Sequence, residues 1–183
     1  MADLGTTLLT LARNAIAARF GLPAASVAVD LPDLHENGAT FVTLTQRGQL
    51  RGCIGSLQAC RPLLQDVQDN ARNAAFRDPR FAPLAERELP LTRVEVSLLT
   101  PAEPMSFRDE ADALAQLRPE IDGVIFSASG RRSTFLPQVW EQLPDPAVFM
   151  AHLKQKAGLP AAYWGQDVRL ERYTVKKWKE EQL

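Results

Sequence analysis

"FVTLTQRGQLRGCIGS", Phe41 to Ser56, decides how this chain folds. "FVTLT" is β-branched and aromatic, as a strand requires. "QRGQ" supplies a turn around Gly48, and "LRGCIG" reads as the returning strand. A hairpin here, closed by glycine and followed at once by Pro62, hands the chain to a helix through about Phe76. Leu63, Leu64, Val67, Ala71, Ala74 and Ala75 recur there at helical spacing.

Outward from the hairpin, the same two signals repeat. Leu4, Leu8, Leu11, Ala15 and Ile16 predict a first helix over residues 4–20, stopped by Gly21 and Pro23, with an alanine-rich face suited to packing closely on a sheet. Residues 24–40 read as loop. "RVEVSLL", Arg93 to Leu99, alternates as a half-buried strand. A short helix is expected from about Arg108 to Leu117. Val124 to Ala128, the Ser129-Gly130 turn and Arg131 to Phe135 form a second hairpin, followed by a helical turn at Pro137. Asp145-Pro146 opens a further helix that Gly158 ends. Val168 to Val175 is the last expected strand, and "KKWKEE" reads as a solvated tail over residues 176–183.

Strands that come in hairpins rather than in βαβ alternation point to an α+β fold with an antiparallel or mixed sheet and flanking helices. The two hairpin-plus-helix segments suggest an internal duplication. With 183 residues, 45% apolar content and a formal net charge of −1, the chain can bury one sizeable core. Near neutrality argues against a polyanion partner, so no nucleic acid is expected. No stretch is apolar enough to span a membrane, and Asp3 and Arg13 break any signal-peptide pattern, so no membrane partner and a cytoplasmic location are expected.

Chemistry concentrates around Cys53. Strict alternation would place Arg51 and Cys53 on one face, where a guanidinium can stabilise a thiolate. Gly52 and Gly55 would let a ligand or a backbone come close. Cys53 is then a candidate nucleophile with Arg51 as its activator, or a small buried hydrophobe. His35 and His152 are distant in sequence. Cys53 and Cys60 match no metal knuckle, so no metal site is expected, and a reducing compartment disfavours a disulfide between them. Arg131, Arg132 and Thr134, in "GRRST", form a candidate anchor for a small anion. Asp78 reads as a cap or an Asx turn with Arg80, and Glu95 as exposed or as a partner for Arg51 or Arg132. Arg80 and Glu95 join the candidate binding residues. No sequence motif names a cofactor.

Taken together, "FVTLTQRGQLRGCIGS", "NARNAAFRDPRFAPL", "VEVSLLTP", "DGVIFSASGRRSTFLPQVWEQLP" and "HLKQKAGLP" resemble the AMMECR domain family, whose bacterial and archaeal members are called AmmeMemoRadiSam system protein A. The resemblance runs over nearly the whole chain, read as a single domain of this type. It implies an α+β fold with a larger and a smaller lobe, and a site at "LRGCIG", which is intact at Leu50 to Gly55. It implies no established reaction. It does imply a pathway shared with a Memo-like protein and a radical SAM protein, in which this chain is either an enzyme or modification component, or a non-catalytic binding scaffold. "QACRPL" departs from the family pattern, so Cys60 is expected to be incidental.

Overall fold

The computed structural model describes residues 3–181. The chain divides into two compact units, the first formed by residues up to Leu99 together with the segment from Lys176 onward, the second by Thr100–Val175.

In the first unit, helix α1 (Leu4–Ala17) is capped by Asp3, whose carboxylate accepts from the Thr6 N–H. It tightens into a 3-10 turn over Ala18–Phe20 and stops at Gly21, as its sequence predicts. Strand β1 (Asn37–Gln46) begins inside the segment read as loop. β2 (Gln49–Gly55) returns antiparallel to it, through a turn in which Arg47 and Gly48 both take positive φ, 51° and 77°. Two left-handed residues give the primed turn whose twist matches the strands it joins. The short β3 (Arg61–Pro62) pairs with the start of β1 and runs directly into α2 (Leu63–Phe76). β4 (Thr92–Leu99) pairs with the other edge of β1.

The apolar alternation of β1 and β4 turns Val42, Leu44, Val94 and Val96 to one face. There they meet Leu8, Leu11, Ala12 and Ile16 of α1 and Val67, Ala71 and Ala74 of α2 in one buried cluster. Small side chains on both helices bring their backbones close to the sheet. At Gly52 this is obligatory, because a Cβ there would collide with the Ala74 carbonyl oxygen of α2.

The second unit contains β5 (Glu103–Pro104), α3 (Glu110–Gln116), β6 (Gly123–Ala128), β7 (Arg131–Phe135), α4 (Pro146–Lys156) and β8 (Arg169–Tyr173). Its sheet runs β5-β8-β6-β7 and is antiparallel throughout. Val124, Phe126 and Leu170 pack against Phe149, Met150 and Leu153 of α4, and Trp140 stacks on Phe149 with ring centroids 3.7 Å apart. Asp145 caps α4 and Pro146 opens it, as expected. Each unit thus carries a β-hairpin followed by a helix, and the fold class is α+β.

The chain then returns to the first unit. β9 (Val175–Lys179) completes a sheet ordered β2-β1-β4-β9, with β3 alongside β1. This corrects the reading of residues 176–183 as a tail. Lys176 to Lys179 are strand, Trp178 packs on the core cluster over Gly5, and Glu180 pairs with Arg13 through both carboxylate oxygens. Gln182 and Leu183 lie outside the described residues. The lysines misled because an edge strand protected by lysines has the composition of a solvated end. No helix among the described residues is long and apolar enough to cross a membrane.

Candidate functional site

Helices cover one face of the first sheet. The opposite face carries the other half of each alternation, and cross-strand pairing aligns Cys53 with Thr43 and Thr43 with Glu95. Three adjacent strands therefore present a thiol, a hydroxyl and a carboxylate in one row. The Thr43 Oγ1 lies 3.3 Å from the Cys53 Sγ. Cys53 is half-buried and outside the helix-packed core. On the neighbouring strand, Lys177 and Lys179 hold Glu95 at 3.5 and 3.0 Å. Glu95 is therefore not the partner of Arg51 or of Arg132.

Arg51 does not share this face with Cys53. The ladder pairs Thr45 with Leu50 and Leu44 with Gly52, which leaves Arg51 without a partner on β1. This β-bulge breaks the alternation on which the same-face expectation stood. The Arg51 guanidinium reaches Glu88 instead, with Nε at 3.0 Å and Nη2 at 3.1 Å from its two carboxylate oxygens. Glu88 also accepts from Gln46 and from the Ala85 N–H, and Gln46 follows the alternation of Val42 and Leu44. Arg51 thus belongs to the helix side of the sheet, and its charge is matched there.

The cation beside Cys53 is Arg80. β2 is an edge strand, and "DPRF" (Asp78 to Phe81) closes that edge. The Cys53 N–H donates to Asp78 Oδ2 at 2.9 Å, and the Cys53 carbonyl accepts from Arg80 Nη2 at 3.4 Å. Asp78 also accepts from the Arg80 N–H, the expected Asx turn, and binds the Arg80 guanidinium through both oxygens. One buried carboxylate and one arginine thereby supply what a further strand beyond β2 would have supplied. The Arg80 guanidinium beside Asp78, with the Cys53 N–H, holds that carboxyl well below the usual carboxylate range. Arg80 is raised in turn, first by its side-chain hydrogen bonds to Asp78.

Of the remaining expected residues, Gly55 leaves the space filled by the Phe41 ring. Arg131, Arg132 and Thr134 do not converge as an anion anchor. Alternation along β7 sends Arg131 toward Gly158 and Ser133 to the Leu153 carbonyl, while Arg132 pairs with Glu171 and Thr134 meets the Tyr173 hydroxyl. His35 is bonded to the Val29 carbonyl, and His152 lies on α4 of the second unit. Cys53 and Cys60 are free thiols, the latter exposed. Sequence reading passed over Lys177, Lys179 and Glu88. The two lysines carry a period-two signal that becomes visible once β9 is assigned as a strand.

Glu88 gives a prediction for acid stability. Arg51, then the Ala85 N–H, lower its carboxyl from 4.5 to about 2. A carboxylate depressed in the folded state contributes stability that is complete above its unfolded pKa and is lost as pH falls toward the folded one. The urea midpoint should therefore fall between about pH 4.5 and about pH 2. Glu88→Gln should cost about 1–2 kcal/mol at neutral pH by leaving Arg51 unmatched, and should flatten that acid slope. An unchanged slope in the variant would assign the acid sensitivity elsewhere.

Known proteins resemble this chain over nearly its whole length. The AMMECR1 family model matches residues 9–178. A protein of Methanothermobacter thermautotrophicus is 36% identical over 183 residues, covering 98% of this chain and 95% of that protein. Protein SSO0193 of Saccharolobus solfataricus is 36% identical over 179 residues, covering 93% of this chain and 79% of its own length. The crystal structure of uncharacterized protein PH0010 from Pyrococcus horikoshii is similar at a TM-score of 0.80 and 32% identity, over 97% of this chain and 91% of that one. A match that runs from the first helix to the last strand covers both units and the "LRGCIG" edge together, and by it the chain belongs to the AMMECR1 family.

Proposed function

We propose that this protein is a component of a modification pathway, acting with a Memo-like protein and a radical SAM protein, and that the open face around Cys53 is where it engages substrate or partner. One observation carries the reading. The "LRGCIG" cysteine stands in a polar row with Thr43 and Glu95 on the uncovered side of the sheet, while the glycine before it packs on helix α2. A residue kept for packing alone belongs on the helix side, with Val42 and Leu44.

The test is coexpression with the Memo-like and radical SAM proteins of the same organism, followed by size exclusion. Cys53→Ser, which preserves shape and polarity, should retain the complex. Cys53→Leu, which fills the row, should lose it. A complex that survives Cys53→Leu removes this face from the proposal.

A second reading makes Cys53 a nucleophile. It is favoured by position, since the Cys53 thiol is half-buried outside the helix-packed core with the Thr43 hydroxyl 3.3 Å from its sulfur. Cys60 is a built-in reference, being exposed and bonded only weakly to Gln58 at 3.9 Å. Iodoacetamide at neutral pH should label Cys53 ahead of Cys60, read by mass spectrometry. The reverse order would leave Cys53 a binding residue without nucleophilic character.

A further inference from the structure

A second concentration of charge lies one row along the same open face. Cross-strand pairing puts Thr45 beside Arg93 as it puts Thr43 beside Glu95, and two residues along a strand span about 7 Å. A groove of about 630 Å³ opens there, between the β1–β2 turn, the Pro90-Leu91 segment before β4, and β9. Glu95 borders it and belongs to the Cys53 row as well.

The charges in this groove do not cancel. Among the described residues, neither Arg47 nor Arg93 pairs with a carboxylate, and Arg93 donates only to the Pro90 carbonyl, at 3.5 Å. Lys177 and Lys179 share the single carboxylate of Glu95. The other acid in the groove, Glu180, is engaged by Arg13. The groove is lined by three cations, Arg47, Arg93 and Lys179, while its two carboxylates, Glu95 and Glu180, are already engaged by Lys177 and Arg13 from outside the lining, in a chain whose formal net charge is −1. One wall is apolar, with Leu91 58% exposed beside Pro90.

We infer that this groove binds the anionic group of a small substrate, a phosphate or carboxylate on a short apolar body. Guanidinium forks fit both anions bidentately. The volume lies within the range of roughly 300–1,000 Å³ that small ligands occupy. The cations are gathered at one groove rather than strung along a stripe, as a polynucleotide backbone would require. This also replaces the anchor expected at Arg131 and Arg132, which β7 turns to opposite faces. Assigning the anion to the substrate rests on the Cys53 face being the working surface, whereas anion binding itself does not.

Calorimetric titration of the full chain with pyrophosphate and with citrate tests the site. At low ionic strength one of them should bind saturably, at one per chain, and weaken as salt is added. Arg47→Asn keeps a residue that tolerates the left-handed turn, and Arg93→Gln keeps the strand. Each should weaken binding roughly tenfold, while Arg132→Ala should leave it unchanged. No saturable binding, or equal binding in both groove variants, overturns the site. Displacement of the anion by a single-stranded oligonucleotide at lower concentration overturns the small-substrate class.

A second arm reads the link to Cys53. Anionic iodoacetate should label Cys53 faster, relative to neutral iodoacetamide, than it labels Cys60, and pyrophosphate should abolish that preference. Anion binding without this effect upholds the groove and overturns its assignment to a substrate of the Cys53 face.

Discussion

Asp66→Ala should be the most damaging single substitution in the first unit, costing about 3–5 kcal/mol. Asp66 is fully buried near the start of α2. Its carboxylate accepts from the Thr40 N–H at 2.8 Å and the Thr40 hydroxyl at 2.7 Å. It also accepts from the Ser56 hydroxyl at 2.6 Å, Arg61 Nε at 2.9 Å and Asn70 Nδ2 at 3.0 Å. The cost of burying this charge is offset only by that full set of donors. Removing it strands those donors together, several of them shielded from water, and each unsatisfied group costs about 1–3 kcal/mol. The same carboxylate ties β1, the segment after "LRGCIG" and α2 to one point. Asp66→Asn should be nearly as costly, because its amide brings a donor where donors already converge. Urea unfolding followed by circular dichroism reads both variants. A midpoint within error of the wild type would mean that water reaches these donors.

Gly52→Ala should follow, at about 1–3 kcal/mol. The added methyl would strike the backbone carbonyl of Ala74, so no rotamer change relieves it and either α2 or β2 must move. The neighbouring thiol reads that movement. A shifted β2 loosens the Asp78 bond to the Cys53 N–H, so Cys53 labelling should change in Gly52→Ala even at temperatures where the chain stays folded. Gly130→Ala is the contrast. Gly130 is an exposed turn position with open space where a Cβ would stand and a φ of 69°. It should pay only the left-handed backbone cost, roughly 1 kcal/mol, and leave labelling untouched.

The contrast between these residues shows what a sequence makes legible. The hairpin at Phe41 to Gly55, the caps at Asp145 and Gly21 and the helix after Pro62 follow from local rules, because turn chemistry and periodicity act over a few residues. The bulge at Arg51 does not. It adds one residue to one strand, and its signature is a pairing register, which exists only between strands. Arg51 therefore reads as the companion of Cys53 when its guanidinium belongs to Glu88. "DPRF" was legible as an Asx turn but not as the cover of the "LRGCIG" edge, since nothing local says which edge a turn will meet. The anion anchor failed for a simpler reason. Adjacent arginines on a strand face opposite ways, whatever their motif looks like.

The order of the strands carries a consequence for how the protein is made. β4 ends at Leu99 and its neighbour β9 begins at Val175, so the second unit is an insertion between two adjacent strands. Its two ends are tied where they leave the sheet, Thr100 N–H to the Thr174 carbonyl at 2.8 Å and Thr174 N–H to the Thr100 hydroxyl at 2.8 Å. On the ribosome, β4 therefore emerges with one edge bare and stays so while the whole insertion is synthesised, several seconds at about 5–20 residues per second. Over that interval α1 lacks Trp178, and Arg13 lacks Glu180. The first unit is begun first and closed last, and an unpaired valine-rich strand is the template on which nascent chains associate. Stalling translation inside the insertion should expose that edge, and an early stop codon there should yield aggregate rather than a shortened soluble protein.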